Sequence, residues 1–296
     1  MMNKKRVVAS YTTLPSRYDT LIKSIKSLKG QTIELDAIYL TIPKKAARLN
    51  KEYPPVPNEL SSLCTVIHID VDYGPLTKIY GALVSELDAD TVIISCDDDV
   101  EFKKDHIEIL LRYHEEYPGT AICGTGALLA KGLWFISIVS TVEPFHTWKA
   151  TTGFYVPKEG RNVDLIFGVA GVLYNRAMFP TKDKLYDELL KYSLMDDSIF
   201  CNDDVLISGY LSKMKIARKV FLDIPTITHL SGEDALSGEI FKMISRLDVA
   251  ISKVKEHGFF LTMEEVSYDE TPAGRILIAI IFIILIILIV CYLFNR

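Results

Sequence analysis

Short apolar runs alternate with longer amphipathic stretches along most of the chain. The short runs are rich in Val and Ile and predict buried strands, whereas the longer stretches carry apolar residues at helical spacing. The predicted strands span residues 6–11, 37–42, 64–70, 91–96, 121–124, 165–174 and 216–222. The predicted helices span residues 16–29, 75–87, 105–117, 203–214 and 237–255.

Strands that alternate with helices are typical of an α/β fold, in which a mostly parallel sheet carries helices on both faces. Ligands of such proteins bind beyond the carboxyl ends of the strands. This rule points to residues 10–17, 70–78 and 97–101, because each segment lies at the end of a predicted strand. Residues 131–164 lose the alternation and gain aromatic side chains, so we expect a long functional excursion there.

One apolar block stands apart from this pattern. Residues 276–294 are nineteen consecutive apolar residues without charge or proline, flanked by Arg275 and Arg296. At ~1.5 Å per residue, a helix of this length matches the hydrocarbon core of a bilayer. The alternative is a buried core helix, but such helices are rarely apolar on every face. The sequence therefore predicts one C-terminal transmembrane helix.

The predicted organisation has a globular domain over residues 1–260, a juxtamembrane linker over 261–275 and a transmembrane helix over 276–294. Only Asn295 and Arg296 follow the apolar block, which is the layout of a tail-anchored protein whose body faces the cytosol. The N-terminal apolar stretch is too short for a secretory signal. Five cysteines without a C-x-x-C pair indicate free thiols in a reducing compartment.

Composition excludes several classes of function. The chain has 33 Lys+Arg against 38 Asp+Glu, a net charge of −5, and so lacks the clustered positive charge that binds nucleic acid. Its hydrophobic content of 49% excludes a disordered chain. A single long apolar run excludes a polytopic transporter.

Three successive carboxylates, Asp97, Asp98 and Asp99, follow the buried run of residues 91–96. Such a triplet is costly at the end of a strand, because like charges repel and each loses hydration. A divalent cation relieves this cost, and carboxylate oxygens suit Mg²⁺ or Mn²⁺, which commonly bridge to a diphosphate. The alternative is a solvated acidic turn that precedes the helix near Asp105.

Two further features lie later in the chain. Asp203 and Asp204 open a predicted helix, where they either complement the helix dipole or supply a general base aimed at a hydroxyl. His229 follows a predicted strand and either completes a metal shell as a neutral imidazole or is structural.

Together these features resemble glycosyltransferases of the GT-A fold, most closely the short viral and algal type, over roughly residues 7–232. The aspartate triplet matches the family's DxD motif, the later acidic pair matches its catalytic pair, and His229 matches its C-terminal metal ligand. Residues 72–78 resemble a Gly-containing turn with a basic residue, and residues 167–171 resemble the Gly-rich strand beside the donor sugar. The resemblance implies a Rossmann-like, mixed and mostly parallel sheet flanked by helices.

The resemblance also implies a role for each residue. Asp99 and His229 would bind the metal, and Asp97 would contact either the metal or the ribose, a role that Asp98 could share. Asp204 would deprotonate the acceptor hydroxyl, with Asp203 as the rival base, giving inversion at the anomeric carbon. The residues that would line the donor are Thr12, Arg17, Lys78, Asp97, Asp98 and Gly171. For Thr12 the alternative is a turn residue, and for Arg17 and Lys78 it is a solvated helix charge.

The expected reaction is metal-dependent transfer of a sugar from a nucleotide-sugar donor, with UDP as the preferred nucleotide and Mn²⁺ or Mg²⁺ as cofactor. The expected acceptor is a hydroxyl on a glycan, a glycoprotein or a lipid-linked molecule that is reachable from the cytosol. Two other functions stay open. One is a metal-dependent phosphatase or phosphotransferase that uses Asp97 as its nucleophile, and the other is a non-catalytic, membrane-tethered binding protein.

Overall fold

A computed structural model describes residues 5–129, 136–140, 159–225, 227–230 and 240–260. The strands in chain order are β1 Val7–Tyr11, β2 Ala37–Pro43, β3 Lys45–Ala46, β4 Lys51–Glu52, β5 Thr65–Ile69, β6 Val92–Ser95, β7 Val100–Glu101, β8 Ala121–Cys123, β9 Thr125–Leu129, β10 Ile136–Ser140, β11 Arg161–Asn162, β12 Leu165–Ile166, β13 Val172–Asn175, β14 Arg218–Val220 and β15 Thr228–His229. The α-helices are α1 Tyr18–Lys29, α2 Asn58–Leu63, α3 Thr77–Ser85, α4 His106–Glu116, α5 Lys191–Ser193, α6 Asp197–Phe200, α7 Asp203–Lys213 and α8 Ile240–Glu256.

The main sheet has eight strands in the order β11-β14-β8-β13-β6-β1-β2-β5. Strand β1 pairs in parallel with β2 and β6, and β2 pairs in parallel with β5. Strand β13 runs antiparallel to both β6 and β8. The expected mixed, mostly parallel sheet is therefore confirmed. A three-stranded sheet, β10-β9-β12, and two short ladders, β15-β7 and β3-β4, accompany it.

Helices cover both faces of this sheet, because alternate residues of a strand point to opposite sides. Val8 and Ile93 are buried in one core with residues of α3, α7 and α8. Ala9 and Ile94 are buried in the other core with residues of α1 and α4. Helix α1 shows the predicted amphipathic pattern. Its buried apolar face consists of Leu21, Ile22, Ile25 and Leu28. Its exposed basic face consists of Lys23, Lys26 and Lys29.

The predicted strand over residues 165–174 is wrong. Leu165–Ile166 belongs to the three-stranded sheet, and Val172–Asn175 belongs to the main sheet. A 3₁₀ turn, Gly168–Ala170, separates them. Gly171 follows this turn with φ of 75°, a left-handed conformation that no strand residue adopts. The chain therefore changes sheets within a few residues.

The chain divides into two compact units, Met1–Leu261 and Thr262–Arg296. The predicted linker and transmembrane helix, residues 261–275 and 276–294, lie outside the described residues. Of the helices within the described ranges, none is long and apolar enough to cross a bilayer. The cysteines of the described ranges, Cys64, Cys96, Cys123 and Cys201, form no disulfide with one another.

Candidate active site

The aspartate triplet lies where the parallel strands β1 and β6 both end, at the carboxyl edge of the main sheet. Its middle member, Asp98, is buried and faces the segment between β1 and α1. Thr13 donates from Oγ1 to Asp98 Oδ2 at 2.6 Å, and Arg17 donates from NH1 to Asp98 Oδ1 at 2.8 Å. The same Arg17 nitrogen lies 3.3 Å from Asp99 Oδ2. One guanidinium thus contacts two of the three carboxylates.

Lys78 neutralises the third carboxylate and links it to the later acidic pair. Its ammonium donates to Asp97 Oδ1 at 2.7 Å and lies 3.0 Å from Asp203 Oδ2. The second contact is an ion pair without hydrogen-bond geometry, since Asp203 Oδ2 is buried without a hydrogen-bond partner. Burial alone would lower the pKa of Lys78, but Asp203, Asp97 and Asp204 raise it well above its usual range.

Asp204 lies beside the 3₁₀ turn that precedes β13. The Gly168 N–H donates to Asp204 Oδ1 at 3.1 Å. A Cβ on Gly168 would lie 3.1 Å from Lys78 Nζ, 3.3 Å from Asp204 Oδ1 and 3.7 Å from Asp97 Oδ1. Glycine therefore lets this backbone approach the charged groups closely. The structure brings together Lys78, Asp97, Asp203, Asp204 and Gly168, which we call the carboxylate cluster.

His229 joins the edge of this cluster through the backbone. It pairs with Val100 in the β15-β7 ladder, and the Leu230 N–H donates to the Asp99 carbonyl at 2.7 Å. The imidazole is exposed and is close enough to Asp99 to lower the pKa of its carboxyl slightly. Residues that are about 130 positions apart in the chain thus lie on the same side of the sheet edge.

Burial and crowding raise the pKa values of these acids. Burial, followed by the charges of Asp97 and Asp98, raises the pKa of Asp99 to about 6, against the opposing effects of Arg17 and His229. Burial raises the pKa of Asp98, although Arg17 and Thr13 oppose the shift. Burial and the neighbouring Asp203 raise the pKa of Asp204 well above its usual range. The carboxylate cluster and the adjoining Asp98 and Asp99 therefore contain more acidic groups than the single charges of Lys78 and Arg17 can neutralise.

A divalent cation fits this chemistry. The side chains of Asp97 and Asp99 are 30% and 28% exposed, so each keeps oxygen atoms open to solvent beside the exposed His229. Hard carboxylate oxygens with one imidazole suit Mn²⁺ or Mg²⁺. Across the described segments, however, no three His, Cys, Asp or Glu side chains already converge on a single metal-binding point. Asp97, Asp99 and His229 all lie in those segments, so they do not form a preassembled metal site, and their role as ligands stays a prediction.

Two of the predicted donor-site residues lie apart from the cluster. Thr12 donates from Oγ1 to the Thr41 carbonyl at 2.9 Å, which ties β1 to β2. A Cβ on Gly171 would lie 3.4 Å from the Phe102 ring and 3.5 Å from the Ser95 carbonyl, away from the charged groups. The glycine beside the carboxylates is Gly168, and a contact of Gly171 with the donor stays a prediction.

The predicted basic residues, Arg17 and Lys78, do reach the acidic groups. Both are buried, at 7% and 5% exposure, which excludes the alternative of solvated helix charges. Both bind aspartates directly rather than leaving their positive charge free for a nucleotide. Sequence reasoning missed Thr13, whose neighbour Thr12 was favoured, because nothing in the local pattern shows which of two adjacent threonines faces Asp98.

Two cavities in the described part of the chain lie away from the cluster. One, of about 480 Å³, is lined by Ile33 and residues of the outer face of α4. The other, of about 530 Å³, is lined by the C-terminal end of α1 and residues 34–38 and 62–65. Neither contains the carboxylates, so the candidate site is defined by its charged groups.

Comparison with solved structures identifies the fold. The structure is similar to the crystal structure of GalNAc-T7 with UDP, GalNAc and Mn²⁺, with a TM-score of 0.54 and 13% sequence identity. The match covers 92% of this chain and 58% of that chain, so this chain spans little more than half the length of its neighbour. No family model matches the chain, and no curated protein matches it. The likeness shows that the two proteins share an α/β fold.

Proposed function

We propose that this protein is a metal-dependent glycosyltransferase that moves a sugar from a nucleotide-sugar, with UDP as the preferred nucleotide, to an acceptor hydroxyl. One observation carries the proposal: carboxylates from two segments of the chain more than a hundred residues apart surround one buried ammonium at the carboxyl edge of the sheet. That edge is where α/β proteins bind ligands. The shared fold with a UDP- and Mn²⁺-bound structure supports the same proposal.

The proposed donor side consists of Asp97, Asp99 and His229. A bound Mn²⁺ or Mg²⁺ would supply positive charge that stabilises the nucleoside diphosphate as it leaves. Asp97 and Asp99 belong to the loop that follows β6, and His229 lies on β15, which pairs with β7 beside that loop. Arg17 and Lys78 hold the aspartates in place through the ion pairs described above.

The proposed general base is Asp204. Asp203 is 6% exposed and lies against Lys78, so it has little room to reach an acceptor. Asp204 is partly exposed, and its Oδ1 is oriented by the Gly168 N–H. Burial raises the pKa of Asp204, which makes its carboxylate a stronger acceptor of the hydroxyl proton. Attack from the side of Asp204 would invert the anomeric carbon.

The test is incubation of the full-length protein with a panel of nucleotide-sugars and Mn²⁺, measuring release of nucleoside diphosphate. We expect release with at least one donor, and we expect Asp99→Ala to lower it by at least about a hundredfold. Asp90→Ala is the matched control, since Asp90 is an exposed aspartate outside the cluster. Release of free phosphate from a monoester by the wild type, without diphosphate release, would instead favour the phosphatase that uses Asp97.

Separate substitution of Asp203 and of Asp204 distinguishes the general base from its neighbour. Asp204→Asn should lower turnover about a thousandfold with little change in donor affinity, because the variant keeps the shape of the side chain but loses its basicity. Asp203→Asn should cost less, since it removes only one partner of Lys78. If Asp203→Asn is the inactive variant, the base is Asp203.

We also propose that residues 276–294 anchor the protein in a membrane with the catalytic domain facing the cytosol. The nineteen-residue apolar block with flanking arginines supports this proposal. Full-length protein expressed in cells should fractionate with membranes, and a chain ending at Gly274 should not. A truncated chain that stays with membranes would contradict the anchor.

A further inference from the structure

The middle aspartate of the triplet has an environment unlike that of its neighbours. Asp98 is 7% exposed, whereas Asp97 and Asp99 keep about a third of their side chains in contact with solvent. Both Asp98 oxygens are used within the protein, Oδ2 by the Thr13 hydroxyl and Oδ1 by Arg17. A carboxylate whose oxygens are both occupied by buried donors is not placed to ligate an ion or a nucleotide.

Arg17 stands between two carboxylates and contacts them unequally. Its NH1 lies 2.8 Å from Asp98 and 3.3 Å from Asp99. The shorter contact is with the more buried acid, where a charge-assisted hydrogen bond is stronger. Without the charge of Asp98, Asp99 is the carboxylate that the same guanidinium nitrogen already contacts, at 3.3 Å. The guanidinium would then compete with a divalent cation for the same oxygens.

The loop cannot avoid this competition by moving, because α1 holds it at several points. Ser27 Oγ accepts the Phe102 N–H at 3.0 Å, and Ser24 Oγ lies 3.5 Å from the Asp97 carbonyl. On the other side, Tyr53 donates to the Thr13 carbonyl at 2.7 Å and so fixes the segment that carries Arg17. The distance from Arg17 to Asp99 is therefore set by Asp98.

We propose that Asp98 is a positioning residue: it retains Arg17 in a buried ion pair and thereby leaves Asp99 open to a divalent cation. This inference rests on the proposed function, in which Asp99 is a metal ligand. It assigns Asp98 and Arg17 to the preparation of the metal site, and it removes both from the set of groups that touch the donor.

The experiment is a double-mutant cycle read by Mn²⁺ binding to the full-length protein, using the loss of the free-ion signal in electron paramagnetic resonance, without nucleotide or turnover. Asp98→Asn should weaken Mn²⁺ binding about tenfold, because the freed guanidinium pairs with Asp99. In the background of Arg17→Gln, the same Asp98→Asn change should have less than about a twofold effect. If Asp98→Asn weakens binding equally in both backgrounds, Asp98 is itself a ligand and the inference is wrong.

A milder variant keeps the test decisive if either charge change prevents folding. Thr13→Val removes one hydrogen bond to Asp98 without altering any charge and should weaken Mn²⁺ binding a few-fold. Thr32→Val is the matched control, because Thr32 donates to Glu108 at 2.7 Å on an exposed surface outside the site. Equal affinities of the Thr13 and Thr32 variants would contradict the inference. Wild-type protein that binds no Mn²⁺ would instead overturn the proposed metal dependence.

Discussion

Lys78 is the group on which the charge balance of the carboxylate cluster depends. Its buried ammonium lies 2.7 Å from Asp97 and 3.0 Å from Asp203, with Asp204 close by. Lys78→Met keeps the length and apolar character of the side chain and removes only the charge. The variant therefore leaves the acids of the cluster without their shared cation.

The expected loss of stability follows from the burial of these acids. Removing one partner of a buried ion pair costs about 3–5 kcal/mol, because the other charge is left uncompensated. The ion pairs of Lys78 with Asp97 and with Asp203 share one cation, and the Asp97 side chain is 30% exposed. We therefore expect Lys78→Met to lower the free energy of unfolding by about 3 kcal/mol at pH 8, rather than by the sum of two ion pairs.

The loss should depend on pH in a fixed direction. Burial already raises the pKa of Asp203 and of Asp204 above the value of an unfolded chain, and loss of Lys78 raises both further. An acid with a raised pKa destabilises the folded state in full above that pKa, and the penalty falls as the pH falls from that value towards the pKa of the unfolded chain. The difference between wild type and Lys78→Met should therefore shrink between pH 8 and pH 5.

The assay is urea unfolding of the full-length protein at both pH values, with Lys182→Met as the control because Lys182 is exposed. The control should change the free energy of unfolding by less than about 0.5 kcal/mol at either pH. If Lys78→Met loses the same free energy at pH 5 as at pH 8, its cost is one of packing, and the electrostatic account of the cluster is refuted.

Other predictions test single features of the site. The pKa of Asp99 is about 6, and a protonated carboxyl is a poor metal ligand. The Mn²⁺ affinity measured by calorimetry should therefore be constant above about pH 7 and fall below pH 6. An affinity that does not change with pH would contradict this. Gly168→Ala should displace the neighbouring ammonium and carboxylate by a few tenths of an ångström and lower kcat about tenfold with an unchanged melting temperature; an unchanged kcat would show that the close approach is unimportant. Gly74→Ala should lower the free energy of unfolding in urea by more than about 3 kcal/mol, because φ is 65° and a Cβ would collide with the Phe200 carbonyl. The control Gly119→Ala, at φ of 76° with open space around the Cβ, should cost about 1 kcal/mol. Equal costs would refute the steric argument.

The local pattern of apolar and polar residues was sufficient to predict the strands and helices in which that pattern is strongly periodic. The apolar run before the triplet became β6, and the spaced apolar residues of α1 became its buried face. These elements are predictable because burial of one face decides both their type and their register. Their order along the chain then places Asp97 and Asp99 at the carboxyl edge of the sheet.

The change of sheet between Leu165 and Val172 could not be predicted in the same way. Two short apolar segments flank the turn, and nothing local shows that they pair with different partners, β9 and β6. For the same reason the sequence favoured Gly171 over Gly168. Both are glycines in one turn, but only contacts with α7 and α3 show which one lies against carboxylates.

The roles of Arg17 and Lys78 also depend on distant contacts. Each forms an ion pair with acids that are 19 or more positions away in the chain. Such distant pairs produce no periodic pattern in the neighbouring sequence. A lysine at the start of α3 has the same sequence signature whether it is solvated or buried. Pairing of the strands is what brings these cations to the triplet.

The reversed direction of β13 has a consequence for how this fold can diversify. In an all-parallel sheet, the segments at the carboxyl edge are those that leave the strands. Since Val172 is paired with Ser95, the segment entering β13 arrives at the same edge and lies directly over the acids. Added residues between Ile166 and Val172 would extend over the acids, whereas added residues after Asn175 would emerge at the opposite end. The length of that short connection is therefore a separate control on access to the acids, independent of the loops that follow β1 and β6.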